Sequence, residues 1–274
     1  MNFVSVKSSE KFRGFIHSYW WMDLDCGEFQ DGFSERILPD GHSEIIFHLG
    51  ERISRAEGGG PFTVEPRALF IGQNTAHYDI AAQGRVRMFG VKFQPHAASF
   101  LLREKASRFN DTAVGLGEIL GDSVNHLWER IVEAGDLASR ISIFERFSAN
   151  RLAGEKTLPF AALDCAVRRI VESGGNGRVE QLAGKLGISS RHLEKLFRRH
   201  VGISPKSFAG IVRFQNGLRL LQSGRNDSLT EVACAADYYD QSHFIHSVKN
   251  YSGMTPSRLK REKMTMQKPF LFGQ

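Results

Sequence analysis

Two stretches near the C-terminal end of this 274-residue chain repeat one another. VEQLAGKLGISSRHLEKLFRRHVGISP ends at Pro205, and LTEVACAADYYDQSHFIHSVKNYSGMTP ends at Pro256. Leu182 and Ala183 correspond to Val232 and Ala233 at an offset of 50. Leu193, Phe197, Gly202 and Pro205 correspond to Phe244, Val248, Gly253 and Pro256 at an offset of 51, so one extra residue sits in the second copy near Tyr239. Two copies are too few for a helical solenoid, whose units must stack to bury a core, and suit a tandem pair of small independent units.

Each copy carries the physics of a helix-turn-helix. A small residue, Ala183 or Ala233, stands midway along a short first helix, where a second helix must pass close. Gly187 supplies the left-handed residue of a tight turn. Leu186, Ile188, Leu193, Leu196 and Phe197 lock the two helices together. The opposite face of the second helix, Ser190, Arg191, Glu194, Lys195 and Arg198, is left polar and outward, and Ser189 caps its start. A helix presented in this way fits the major groove of DNA. Pro205 opens a connecting helix expected over 205–222, about 27 Å long at 1.5 Å per residue. That is close to one turn of DNA, about 34 Å, so one chain could read two successive major-groove segments.

Charge is segregated in the same sense. Residues 156–274 hold 19 Lys and Arg against 9 Asp and Glu, while residues 1–155 hold 17 against 21. The C-terminal half therefore suits a polyanion and the N-terminal half does not.

The length suggests two domains, with a boundary near Gly154-Glu155-Lys156-Thr157, just before Pro159 in the first turn of a new helix. Ahead of it, RILPDGHSEIIFHL (36–49) has a Pro39-Asp40-Gly41 turn followed by a β-branched run, and 68–72, 76–80 and 86–93 read as further short strands. From about 95 the spacing becomes helical, over 96–106, 115–133 and 136–152. Beyond the boundary, Leu163, Val167, Ile170 and Val171 form a helical stripe. Short helices are expected at about 179–186 and 189–199. Ser228-Leu-Thr-Glu231 is a capping box, and a last helix is expected over 240–250. The fold class is α+β: a β-rich domain with helices over 1–155, compatible with a cupin-like barrel, an all-α domain over 156–262 of two helix-turn-helix units on a linker helix, and a tail over 263–274.

Residues 178–261 resemble the DNA-binding domain of the AraC/XylS family of bacterial regulators. The resemblance rests on LAGKLGISSRHLEKLFRRHVGISP, the linker RFQNGLRLLQ and EVACAADYYDQSHFIHSVKNYSGMTPSRLK. More weakly, HSYWW, ILPDGHSEIIF and GVKFQPHAASFLL resemble a sensor-type domain of unassigned function that precedes this reader in part of the family. The resemblance implies a transcription regulator, most often an activator, working with RNA polymerase on double-stranded DNA; the cytoplasm is expected separately, from three unpaired cysteines and the lack of a membrane span or signal-peptide pattern. A small-molecule effector and a homodimer are further partners that it allows. Carried over by position, the base-reading side chains are Ser190, Arg191, Glu194 and Lys195 in the first unit and Ser242, His243 and His246 in the second. Arg198, Arg199 and Lys249 are expected on phosphate, which gives affinity and salt dependence but no sequence information.

The chain departs from the family pattern at three places. Asp237 and Tyr238 stand where Gly and Phe are usual, Val248 replaces a Phe, and Arg178 occupies a position where a Ser or Thr cap is expected. Asp tolerates the left-handed region better than most residues, so the turn should survive. The second unit is expected to be the less stable, and the first to supply more of the base-specific contact.

In the N-terminal half, Trp20, Arg36, His42, His48, Tyr78 and Phe93 are the candidates for an effector pocket, with Trp21, Phe47 and Met88 as further aromatic or apolar lining. His42, Glu44, Ile46 and His48 alternate onto one strand face, a pattern that can bind metal. The tight HxH pair of a cupin metal site is absent, and His77 and His96 have no fixed spacing to the others. A metal-dependent cupin-like enzyme fused to a DNA reader is therefore the alternative, and the expectation is no enzyme, no metal and no cofactor. Cys26, Cys165 and Cys234 are odd in number and far apart, without a CxxC, so neither a disulfide framework nor a cysteine zinc site is indicated, and the last two are expected to be buried. The same lack of a cysteine cluster speaks against alkyl transfer to cysteine. No apolar run is long enough to span a membrane, and the N-terminus has no signal-peptide pattern.

Overall fold

The computed structural model describes residues 2–29, 32–154, 158–223 and 228–262. Most of the proposed 154–157 hinge and the 263–274 tail lie outside them. The chain opens with β1 (Asn2–Lys7), β2 (Ile16–Asp25), β3 (Phe33–Ile37), β4 (Glu44–His48), β5 (Ser54–Glu57), β6 (Thr63–Val64), β7 (Ala68–Ile71), β8 (Tyr78–Ala82) and β9 (Arg85–Phe93). Then come α1 (Ala98–Leu102), β10 (Ala113–Gly115), α2 (Leu116–Leu120), α3 (Ser123–Glu133) and α4 (Leu137–Leu152). The strands form a six-stranded sheet in the order β1-β2-β9-β4-β7-β10 and a four-stranded sheet in the order β3-β8-β5-β6. Every pairing is antiparallel. The strands expected from sequence are present as β4, β7, β8 and β9, while β1, β2, β3, β5, β6 and β10 are additional.

Period-two alternation divides the larger sheet between two cores. Ile46, Leu69, Ile71 and Met88 point toward the smaller sheet and meet Ile80 and Tyr78 there. Ile45, Phe47, Phe70, Phe89, Val91 and Phe93 point the other way, onto the helices, where Phe144 of α4 and Ile131 of α3 cover them. Strand β9 is buried on both faces over most of its length, which explains its near-continuous apolar sequence. Gly90 is required in it: any side chain there would occupy the space of the Trp20 indole.

The helical half contains α5 (Leu158–Glu172), α6 (Val179–Lys185), α7 (Ser190–His200), α8 (Pro205–Ser223), α9 (Leu229–Ala235), α10 (Gln241–Ser252) and a short α11 (Pro256–Leu259). On α5, Leu163, Ala166, Val167 and Ile170 face inward, which puts Cys165 on the flank, half-buried. On α9, Val232, Ala233 and Ala236 face inward, and Cys234 is exposed. The expectation that both thiols are buried is thus corrected: each is one position off its helix's apolar stripe.

The two halves share their cores. The Phe160 ring of α5 lies 4.7 Å from that of Phe15, 4.8 Å from that of His96 and 5.3 Å from that of Phe100. His200, at the end of α7, stacks on Phe100 at 4.5 Å, and its Nδ1 lies 2.9 Å from Ser99 Oγ. Asn110 Nδ2 donates to Gly202 O at 2.8 Å. At the other unit, Arg36 Nη1 donates to Ser252 O at 3.1 Å, and Leu38, 2% exposed, belongs to the core of α8, α9 and α10. Both second helices of the repeat are therefore seated by their C-terminal ends on the β-rich half. Among the described residues no helix is long and apolar enough to cross a membrane.

Candidate nucleic-acid interface

The first unit is α6 and α7. Ala183 is 1% exposed at their crossing, and Gly187 turns the chain with φ 67°. Ser189 Oγ accepts from His192 N at 3.2 Å and caps α7. Leu193, Leu196 and Phe197 point inward, leaving Arg191, His192, Glu194, Lys195, Arg198 and Arg199 exposed and Ser190 half-buried. Arg198 and Arg199 fall in the last turn of α7, where cations suit the helix dipole. Arg198 Nη2 lies 3.3 Å from Glu194 Oε1, with both side chains half or more exposed. An exposed pair of this kind is worth little, so phosphate can draw Arg198 away at small cost. Arg178 precedes α6 without a side-chain cap, as the sequence indicated.

The second unit is α9 and α10. Ser228 and Glu231 form the expected capping box. Asp237 takes the turn with φ 57°, the left-handed conformation that Gly187 has in the first unit. Asn176 Nδ2, from the loop after α5, donates to Asp237 Oδ2 at 2.5 Å. Tyr238 fills the core below, 7% exposed, and its hydroxyl, which lies 3.0 Å from Ser247 Oγ, is pushed up to about 12 by burial. Asp240 Oδ1 accepts from His243 N at 2.7 Å and caps α10. Phe244 and Val248 are fully buried, and Ser242, His243, His246 and Lys249 are exposed. The His243 ring meets the Tyr238 ring edge-on at 5.2 Å.

Between the units, α8 spans 19 residues, about 28 Å along its axis. The two exposed faces differ in charge: α7 offers Arg191, Lys195, Arg198 and Arg199 with Glu194, whereas α10 offers Lys249 and two histidines.

The repeat register pairs two of the expected base-reading positions with residues outside that set. Gln241 holds in α10 the place of Ser190, and His192 holds in α7 the place of His243; both are exposed. Arg169, Arg178 and Lys185 also gather around a cleft of about 320 Å³ between α5 and α6. Residue Arg169 lies outside the repeat, so no internal comparison could have found it.

Of the six candidate effector residues, Trp20 and Tyr78 line a cavity between the two sheets. The other four lie elsewhere. Phe93 faces the helices. Arg36 forms a two-bond pair with Asp79, at 2.7 and 3.0 Å, and reaches Ser252. His42 Nδ1 bonds Phe93 O at 2.7 Å, its ring lies 4.6 Å from that of His17, and burial lowers its pKa to about 3. His48 Nε2 lies 3.0 Å from Glu65 Oε2. Among the described residues, no group of three or more His, Cys, Asp or Glu is placed to hold a metal ion.

Comparison with known proteins agrees with this geometry. Residues 182–262 match the family described as a helix-turn-helix domain, and residues 5–115 match a domain of unknown function, DUF6597. The Msm operon regulatory protein of Streptococcus mutans is 32% identical over 98 residues, 35% of this chain and 35% of that protein. The chain spans about a third of the length of the curated relatives it matches. Among solved structures, a probable AraC family transcriptional regulator from Rhodopseudomonas palustris is 29% identical, with a TM-score of 0.34 over 37% of this chain and 95% of that one. Unsaturated fatty acid bound ToxT from Vibrio cholerae is 13% identical, with a TM-score of 0.45 over 87% of this chain and 92% of that one. The C-terminal part of the chain thus matches a helix-turn-helix domain, and the part before it matches a domain of unknown function.

Proposed function

We propose that the chain is a sequence-specific DNA-binding transcription regulator, acting in the cytoplasm as an activator that works with RNA polymerase, and that it is not an enzyme. Helices α7 and α10 enter two successive major-groove segments. Ser190, Arg191, Glu194, Lys195, Ser242, His243 and His246 read bases, joined by His192 and Gln241, while Arg198, Arg199 and Lys249 hold phosphate. The observation that carries this is the pair of matched units on one helix of about 28 Å, each with its outward face exposed. Residues 1–155 act as the sensing part and 156–262 as the reading part. One chain holds both readers, so binding needs no second copy, although a homodimer remains compatible with it.

Selection of bound sites from random DNA by the full chain tests the proposal. Enrichment of a defined motif is expected. Retention of DNA without any enriched sequence would reduce the protein to a nonspecific polyanion binder.

A further inference from the structure

The cavity between the sheets has a volume of about 80 Å³. Its walls are apolar and aromatic, with Phe3, Trp20, Ile46, Tyr78, Ile80 and Met88 among them. Its charged lining is Asp40, Glu44 and Glu65 with Lys92; Glu65 is engaged by His48, whose Nε2 lies 3.0 Å from its Oε2, which leaves Asp40 and Glu44 against Lys92. The Lys92 ammonium, 1% exposed, lies 2.6 Å from Asp40 Oδ2 and 2.8 Å from Glu44 Oε1, so two carboxylates share it. Glu44 Oε2 also accepts from Trp20 Nε1 at 3.1 Å. The Arg55 guanidinium lies over the Tyr78 ring at 3.3 Å, but its charge is matched by Glu57 at 3.0 Å, outside the lining. Asp40 and Glu44 keep 17% and 19% of their side-chain surface, whereas Lys92 is covered.

This arrangement selects the sign of a ligand. An anion would have to settle among carboxylates against an ammonium that two of them already neutralise. A cation finds surplus negative charge in a partly dehydrated site, where charge pairing is stronger than in water. The Trp20 and Phe3 rings, stacked at 6.2 Å, offer an apolar wall and aromatic faces to the rest of the molecule. We propose that the inter-sheet cavity binds a small organic cation, a primary alkylammonium with a short apolar body, its ammonium group held by Asp40 and Glu44. Binding there presupposes the sensing role given above to residues 1–155, and it specifies the chemistry that is sensed.

The test uses the full chain and one matched probe pair, butylamine and pentanoate, which carry the same body with opposite charge. Calorimetric titration should show saturable binding of the amine and none of its carboxylate partner. Glu44→Gln, which keeps an acceptor for Trp20, should weaken amine binding about tenfold or more. Ile46→Phe, which leaves every charge in place and fills the cavity, should abolish it and decides the matter if Glu44→Gln does not fold. Tighter binding of the carboxylate, no binding of the amine, or amine binding unchanged in Ile46→Phe would each overturn the proposal. Site selection without ligand reports separately on DNA reading, so a chain that binds amine but selects no DNA keeps this site and loses the regulatory role.

Discussion

Gln215, in the middle of the linker helix, donates its side-chain amide to the backbone carbonyl of Pro39 at 2.5 Å, and both residues are buried. This bond ties the rod between the two readers to the β3–β4 turn. The same turn carries Ile37 and Asp40 into the wall of the inter-sheet cavity and sends Leu38 into the core of the second unit. Replacing Gln215 with Leu removes the donor and leaves the Pro39 carbonyl buried without it. A loss of about 1–3 kcal/mol of stability is expected in denaturant titration, with the fold retained. An unchanged midpoint would show that the bond contributes nothing.

Readers and phosphate contacts should separate in binding experiments. Lys195→Ala or His246→Ala is expected to change the preferred sequence at particular positions. Arg199→Ala should weaken all sites alike and reduce the slope of log affinity against log salt by about 1. A Lys195→Ala protein that selects the same motif would remove Lys195 from the base readers.

The turn at Asp237 has a measurable cost. Alanine there would keep φ 57° without a side chain able to satisfy itself locally, and would lose the bond from Asn176. Asp237→Ala should destabilise the protein by about 1–2 kcal/mol, and hydrogen exchange should rise first in α9 and α10. Equal or better protection of the second unit than of the first in the unaltered chain would contradict the expectation, drawn from Asp237 and Val248, that it is the weaker. Two features of the fold oppose that expectation: the Ser228 capping box, and Leu38, which joins the core of that unit from outside the repeat.

Acid should loosen the junction between the halves. Burial pushes His200 down to about 4 and His96 to about 3, from the ordinary value of 6.5. Between pH 6.5 and about 4 the unfolded chain therefore binds more protons than the native one, so stability falls as pH falls through that window and levels off below the native values. His17 and His42, also lowered by burial to about 4 and about 3, add to the same slope. His200→Gln should flatten the dependence of the unfolding midpoint on pH between 6.5 and 4. An identical slope in the variant would show that this ring does not titrate on unfolding.

The reading half was legible because its information is local and doubled. The repeat marks Ala183 with Ala233 and Gly202 with Gly253, and turn chemistry marks Gly187 and Asp237. Applied to every position, the same register pairs His192 with His243 and Ser190 with Gln241. The cavity was harder to read, because residue type was allowed to stand for strand face. Phe93 is aromatic but lies at the wrong parity in β9, where Met88 and Lys92 are the residues that reach the cavity. Lys92 gave no signal of its own, since the carboxylates that neutralise it come from the distant β3–β4 turn and β4. Strands β1 and β2 mix Ser, His, Tyr and Trp with apolar residues and show no clean alternation. The seating of α7 and α10 on the β-rich half depends on pairs such as Arg36 with Ser252 and Asn110 with Gly202, far apart in sequence and ordinary in type.

The central claim is that one chain reads two successive major-groove segments through one rigid helix. Hydroxyl-radical footprinting on a selected site, combined with the mass of the complex, tests it most directly. The expected result is one chain per site, with two protected segments about 10 base pairs apart on one face of the duplex. A single protected segment per chain, or a symmetric site occupied only by two chains, would contradict it.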